Sequence, residues 1–100
     1  GLLLGRRATT HWGSLNRLRD AGDVSVVEQR WVVDGPVWTA AGVSAGIDMA
    51  LAYIEHVSGP ATASKVQMAA EYYPEAKLYG GEASHTKAPA YVRDRAPPKR

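Results

Sequence analysis

The chain of 100 residues contains no cysteine. This absence excludes a disulfide framework, a thiolate zinc site and a cysteine nucleophile within these residues. The chain also lacks an apolar run near the roughly 20 residues that a membrane span needs, because Ser44, Gly46 and Asp48 interrupt residues 40–54. Residues 1–5 are too short for the apolar region of a signal peptide and follow no basic segment. We therefore expect a soluble, cytoplasmic protein that does not enter a membrane.

The composition that remains is that of one small packed domain. Hydrophobic residues make up 45% of the chain, and the net charge is only +2. Much of the basic excess follows Tyr73, and it consists of Lys77, Lys87, Arg93, Arg95, Lys99 and Arg100. A nucleic-acid surface groups its cations on one ordered face, which this distribution does not suggest. We predict a solvated tail, no direct nucleic-acid partner, no metal site and no cofactor.

Strand and helix signals alternate in the first forty residues. Residues 6–10 contain two β-branched threonines and predict a strand. Ser14 is placed to cap a helix that runs to about residue 21, where Gly22 ends it. A second strand is predicted at residues 24–27. Residues 30–39 predict a hairpin around the turn Asp34-Gly35-Pro36, so the sheet is expected to be mixed.

The second half reads as two helices and an arm. Apolar residues at helical spacing predict a helix over residues 44–57, and Gly59-Pro60 ends it and begins another that runs to about residue 72. After Pro74 the periodicity disappears among prolines, glycines and scattered charges. We therefore predict an α/β unit over residues 1–74, with a mixed sheet and flanking helices, and an extended or disordered tail over residues 75–100.

Three blocks of sequence carry a resemblance that periodicity cannot supply. They are Gly-Leu-Leu-Leu-Gly-Arg-Arg-Ala-Thr-Thr-His-Trp at residues 1–12, Asp-Gly-Pro-Val-Trp-Thr-Ala-Ala-Gly-Val-Ser-Ala-Gly-Ile-Asp-Met-Ala-Leu at residues 34–51, and Ala-Ala-Glu-Tyr-Tyr-Pro at residues 69–74. In this order they resemble the carboxyl-terminal half of the ThiJ/PfpI family, and most closely its isonitrile hydratases and the sensor domains of AraC-type regulators. The resemblance implies part of a flavodoxin-like sandwich of the class I glutamine amidotransferase type.

The resemblance also implies which catalytic groups this chain holds. The family's cysteine nucleophile sits on a sharp strand-to-helix turn, which we expect upstream of Gly1 together with a partner carboxylate. The chain is thus expected to be a severed half that is inactive alone. Of the family's catalytic set only His11 carries over. A thiolate is the attacking species, and a nearby imidazole lowers the pKa of a thiol or shuttles its proton. The alternative is that His11 packs beside Trp12 and bonds a backbone carbonyl.

The other candidates favour structural interpretations. His56 and His85 lie late in a helix and in the tail, and both are expected to be structural or solvent-facing. Asp48 is expected to interact with free backbone N–H groups in the first turn of its helix. Trp31 and Trp38 are open between a cross-strand pair, a core element and a subunit contact. Glu71 is expected to face solvent at a helix end.

Two functions of different class remain. The first is a cysteine-dependent hydration of a small molecule such as an isonitrile, which releases an N-substituted formamide. The second is a non-catalytic ligand-sensing domain of an AraC-type transcriptional regulator. A third possibility is a truncated product without activity, whose exposed edges and apolar faces invite association. The expected partners are a small-molecule substrate and a second copy of the chain in a homodimer.

Overall fold

The computed structural model describes residues 1–95. Residues 96–100, which include Pro97, Pro98, Lys99 and Arg100 of the predicted tail, lie outside that range. Four short strands occur: β1 (Arg6–Ala8), β2 (Val24–Val26), β3 (Trp31–Asp34) and β4 (Val37–Ala40). The helices are α1 (Leu15–Asp20), α2 (Val43–Ser58), α3 (Pro60–Ala70) and α4 (Ala90–Arg93), with 3-10 turns at Trp12–Ser14 and Glu82–Ser84. The chain is therefore of the α/β class, as predicted.

The first two strands form a parallel pair. Arg6 lies opposite Val24, and Ala8 lies opposite Val26. The connection between them contains the first 3-10 turn and α1, as a parallel pair requires a crossover. The helix begins directly after Ser14, although the Ser14 side chain makes no capping hydrogen bond. The predicted strand, helix and strand are thus present, but the hydroxyl cap is not.

The next two strands form the predicted hairpin. They are antiparallel, with Asp34 opposite Val37. Gly35 adopts φ +58° in the turn, and a Cβ at this position would lie 2.9 Å from Nη1 of Arg6. The backbone conformation therefore favours glycine, whereas the close approach involves only the end of the flexible Arg6 side chain. Because Trp31 faces Ala40 and Trp38 faces Val33 in the register, the two tryptophans are not a cross-strand pair.

Side chains join the hairpin to the parallel pair. The backbone N–H of Arg7 donates to Oδ2 of Asp34 at 2.7 Å, and the Arg6 guanidinium donates to the Asp34 carbonyl at 3.1 Å. No continuous backbone ladder runs between them, so residues 1–95 contain two two-stranded sheets, one parallel and one antiparallel. Both strand directions expected for the mixed sheet are present, divided between these pairs.

Two long helices follow the hairpin and pack against each other. Gly59 separates them with φ +89°, and Pro60 occupies the first position of α3. A glycine with positive φ followed by proline ends one helix and starts the next. The predicted end of α3 near residue 72 is two residues too late, because Glu71 already takes a left-handed conformation with φ 49°. Glu71 is exposed, as expected.

The buried core is small for a chain of this size. Its hydrophobic members are Ala8, Leu15, Val32 and Ala45. The accessible surface is 7221 Å², whereas a compact protein of this mass exposes roughly 5,500 Å². The molecule is also flat, with principal extents of 41, 38 and 16 Å. Several large apolar side chains are consequently exposed, among them Leu2, Val43, Val57 and Met68.

The described part of the segment after Pro74, residues 75–95, contains two short helical elements. Residues 82–84 form a 3-10 turn and residues 90–93 form α4, while Pro89 is buried. The turn and α4 contact each other. The Glu28 carboxylate accepts a hydrogen bond from the backbone N–H of Ala90 at the start of α4. Periodicity along the sequence cannot reveal this contact. Within residues 1–95 no helix is long and apolar enough to cross a membrane.

The buried side of β3 offers a test of the fold. Val32 is 1% exposed, whereas its neighbour Val33 on the opposite face is 41% exposed. We expect Val32→Ala to lower the free energy of unfolding by about 2 kcal/mol through lost burial and a residual cavity. Val33→Ala is the matched control and should cost well under half of that. Urea unfolding followed by circular dichroism measures both, and equal losses would contradict the placement of the core.

Candidate functional site

His11 lies three residues beyond the end of β1 and caps the 3-10 turn at Trp12–Ser14. The backbone N–H of Gly13 donates to its Nδ1 at 3.0 Å. Because Nδ1 accepts this bond, a neutral imidazole carries its proton on Nε2. The ring also approaches the backbone of Gly42, where an added Cβ would lie 3.9 Å from Cδ2. His11 is therefore an exposed, oriented imidazole, and it accepts a bond from a backbone N–H rather than donating one to a carbonyl.

Thr9 fixes the end of the strand that carries His11. It is only 5% exposed. Its N–H donates to Oγ1 of Thr39 at 3.0 Å, and its hydroxyl donates to the carbonyl of Gln29 at 3.2 Å. Both polar groups are thus satisfied, as a buried residue requires. These bonds tie the backbone two residues before His11 to β4 and to the loop after β2.

A cleft of about 450 Å³ opens beside His11. Its size is within the range of roughly 300 to 1,000 Å³ that small-molecule sites occupy. One side is formed by His11, Trp12 and Gly42. The His11 and Trp12 rings are 5.4 Å apart between centroids. The other side comes entirely from residues 78–92, which we call the carboxyl-terminal wall; its apolar members include Leu78, Pro89, Tyr91 and Val92.

The lining of the cleft is mainly apolar with charges at its border. Burial raises the pKa of Tyr91, an effect that Arg30 opposes and Glu28 reinforces, so its phenol is neutral at physiological pH. Glu82 and Lys87 also line the cleft and are exposed. The described residues bring no group of three or more metal-ligating side chains together. The arrangement suits a neutral, partly apolar small molecule whose polar end reaches His11.

Glu28 holds the carboxyl-terminal wall in place. Its Oε1 accepts a hydrogen bond from the backbone N–H of Ala90 at 2.9 Å, at the first residue of α4. The same carboxylate pairs with Arg19 at 3.4 Å and with Arg93 at 4.0 Å. A carboxylate at a helix start satisfies an N–H that has no partner within the helix. Sequence inspection missed this residue because its partner lies 62 positions away.

The structure also places the other two histidines and Trp38. His85 is exposed and lines the cleft, where its Nδ1 accepts from the N–H of Lys87 at 3.0 Å. His56 is exposed and lies near Trp38, with ring centroids 5.7 Å apart and ring planes tilted by 47°. Trp38 also packs edge-on against Tyr53, so it contacts α2.

The expectation for Asp48 is wrong. Because α2 begins at Val43, Asp48 lies beyond the first turn. It pairs with Arg30, whose guanidinium also donates to the Ser44 hydroxyl at 3.0 Å. The Tyr72 hydroxyl donates to the Ser44 carbonyl at 3.1 Å. Asp48 thus joins the segment before β3 to α2, and it is not among the residues that line the cleft.

Similarity to known proteins is consistent with this geometry. The model of the DJ-1/PfpI family matches residues 1–56. An isonitrile hydratase of Pseudomonas putida is 42% identical over 96 residues, which cover 96% of this chain and 41% of that protein. The HTH-type transcriptional regulator CdhR of Pseudomonas aeruginosa is 40% identical over 67 residues, which cover 66% of this chain and 20% of the regulator. The chain therefore spans 41% of the hydratase and 20% of the regulator.

A solved structure supports the fold independently. The crystal structure of a ThiJ/PfpI family protein from Pseudomonas syringae superimposes with a TM-score of 0.71 at 34% identity. The match covers 93% of this chain and 37% of that one. The predicted partial flavodoxin-like sandwich is thus confirmed.

The bond from Gly13 to His11 makes a spectroscopic prediction. When the imidazole is neutral, we expect long-range ¹H–¹⁵N spectra to show His11 with a protonated Nε2 and a bare Nδ1, because Nδ1 accepts the backbone N–H. His85 should show the same tautomer, since Lys87 supplies the same contact. His56 serves as the reference, because it caps no such turn. A predominant Nδ1–H form at His11 would show that the ring is oriented differently.

Proposed function

Because the chain belongs to the DJ-1/PfpI family, we propose that it forms the carboxyl-terminal part of a site that hydrates isonitriles to N-substituted formamides. The family resemblance seen in the sequence is confirmed, whereas the activity and the substrate are our proposal. The observation that carries it is the 42% identity to isonitrile hydratase, which extends over 96 residues. The cleft beside His11 supports the proposal because it has room for a small substrate.

The proposed reaction requires a thiol that these 100 residues do not contain. The sulfur bonds to the isonitrile carbon and a proton is added to the same carbon, which gives a thioimidate. Water then attacks this carbon, the carbon–sulfur bond breaks, and the nitrogen gains a proton. The net change is the addition of one water to the isonitrile, and the thiol is regenerated. We assign the cysteine to polypeptide outside this chain.

His11 is the residue of this chain that we assign to the chemistry. An imidazole can take the proton of a thiol and return it in the next step. Its place after β1 agrees with the rule that sites in open α/β folds lie beyond the carboxyl ends of strands. The contact with Gly13 orients the ring, and it leaves Nε2 as the nitrogen free to exchange a proton with a reacting group.

A sensor role is the alternative. The 40% identity to an HTH-type transcriptional regulator over 67 residues favours it. In that case the cleft would bind a small molecule without converting it. The same residues would line the site, but His11 would contribute to affinity rather than to a rate.

A chimaera separates these functions. We would replace the matching segment of the Pseudomonas putida isonitrile hydratase with this chain and measure formation of N-benzylformamide from benzyl isonitrile by chromatography. The chimaera should turn over, and His11→Ala in it should lower the rate by at least about a hundredfold, as expected for loss of a general acid or base. The isolated chain should show no turnover.

His56→Ala is the matched control, because this exposed histidine lies near Trp38 and is not among the cleft residues. Its rate should stay near that of the parent chimaera. A folded chimaera that binds the product but never hydrates the isonitrile would support the sensor. Turnover that persists in His11→Ala would remove the assigned role.

We also propose that the chain associates with a second copy. Its surface of 7221 Å² and its exposed apolar residues are unusual for a monomer of this size. Light scattering during gel filtration should give a mass near twice 10.7 kDa. A dilution series provides the control, since a true dimer dissociates as the concentration falls. A monomer mass at every concentration would contradict association.

A further inference from the structure

The carboxyl-terminal wall is an unexpected part of the site. It belongs to the segment for which the sequence suggests an extended or disordered tail, and it lies beyond residues 1–56, which match the family model. The similarity to isonitrile hydratase, however, covers 96% of this chain and therefore includes it. The wall is thus a part of the cleft that the family model does not describe.

The wall lines the cleft with apolar side chains. Pro89 is buried, and Leu78, Tyr91 and Val92 are half-buried, all of them lining the cleft. Trp12 on the other side is 50% exposed. Half-exposed apolar groups around a cleft of about 450 Å³ can gain burial from a ligand, whereas they gain none from water.

His11 shares the cleft with apolar side chains. The imidazole and the Trp12 ring are 5.4 Å apart, and the wall residues line the same cleft. A substrate whose reacting carbon lies at His11 can therefore place its substituent against Trp12 and the wall. Glu82 and Lys87 are the charged residues of the wall that line the cleft, and their opposite charges give no preference for an ionic substituent.

Glu28 is hydrogen-bonded to the wall and restrains its position. It accepts the Ala90 N–H at 2.9 Å, one residue after the buried Pro89 and one before Tyr91. Because α4 has only four residues, it has little stability of its own. An external carboxylate bonded to its first N–H is therefore an important restraint on Tyr91 and Val92.

We propose that the carboxyl-terminal wall binds the apolar substituent of the substrate and sets the preferred size of that substituent, and that Glu28 is the residue that positions the wall. The proposal rests on the proposed function for the identity of the polar end, but the wall itself requires only an apolar group. The preferred ligands are neutral molecules with a ring-sized apolar substituent.

The test uses the full 100-residue chain and two stable probes, N-benzylformamide and N-methylformamide. Dissociation constants come from NMR titrations. The unmodified chain should bind the benzyl probe at least about tenfold more tightly, because the larger substituent buries more apolar surface. Val92→Ser should bring the two affinities close together. Val57→Ser is the matched control: it makes the same change at a side chain that is 62% exposed and outside the cleft.

Glu28 is tested by a conservative pair. Glu28→Gln keeps an oxygen that can accept the Ala90 N–H and should retain most of the preference for the benzyl probe. Glu28→Ala removes the acceptor and should lose the preference as Val92→Ser does. Circular dichroism and the resonances of residues 6–13 show whether the strands remain intact in each variant. A purely structural role would lower both affinities together and would not be rescued by glutamine.

The outcomes separate this inference from the proposed function. If the benzyl preference survives both Val92→Ser and Glu28→Ala, or if the chain binds neither probe, the proposed role of the wall is contradicted. If the preference is lost in these variants but the chimaera does not hydrate benzyl isonitrile, the role of the wall is supported and the hydratase activity is contradicted. In an active chimaera, Val92→Ser should raise KM for benzyl isonitrile and leave kcat near its parent value, because we assign Val92 to the substituent and not to the reacting carbon.

Discussion

The buried side chain of Thr9 is the constraint on which the cleft depends. Its N–H and hydroxyl are bonded to Thr39 and Gln29, so one residue holds β1, β4 and the loop after β2 together. His11 follows two positions later, and Glu28 precedes Gln29. A single satisfied polar residue therefore sets the positions of both the imidazole and the carboxylate. Leaving either group unpaired inside the protein would cost about 1 to 3 kcal/mol, which is large for so small a core.

Hydrogen bonds and ion pairs join segments that the small apolar core does not hold together. Within residues 1–95, the four buried hydrophobic residues contribute little compared with the core of a compact domain of this size. Asp34 joins β1 to the hairpin, and the pair of Arg30 and Asp48 joins α2 to the segment before β3. Glu28 binds the carboxyl-terminal wall. These pairs are partly exposed, and such pairs add modest stability. Their effect is chiefly to choose one arrangement of segments that burial alone would hold loosely.

Local sequence signals predicted the elements well. Asp34-Gly35-Pro36 indicated the hairpin because glycine and proline favour turns, and Gly35 takes φ +58° in the structure. Gly59-Pro60 separated two helices for a similar reason. The resemblance identified the family, because three motifs in order are specific, and it made His11 the candidate catalytic residue. Errors occurred in the contacts of individual side chains. Ser14 stands at a helix start without capping it, and Asp48 binds Arg30 instead of backbone groups. The sequence left the role of Trp38 open, and the structure packs it on Tyr53. The division of the chain at residue 74 stays a prediction.

By itself the sequence determined what depends on near neighbours: the turns, the helix ends, the order of strands and the motif that contains His11. Backbone conformation at glycine and proline is a local property, so it can be read without knowing the fold. Only the tertiary structure decided that residues 78–92 return to form half of a cleft. That return depends on a carboxylate 62 positions away, and no periodicity along the chain records which distant charge will meet an unpaired N–H.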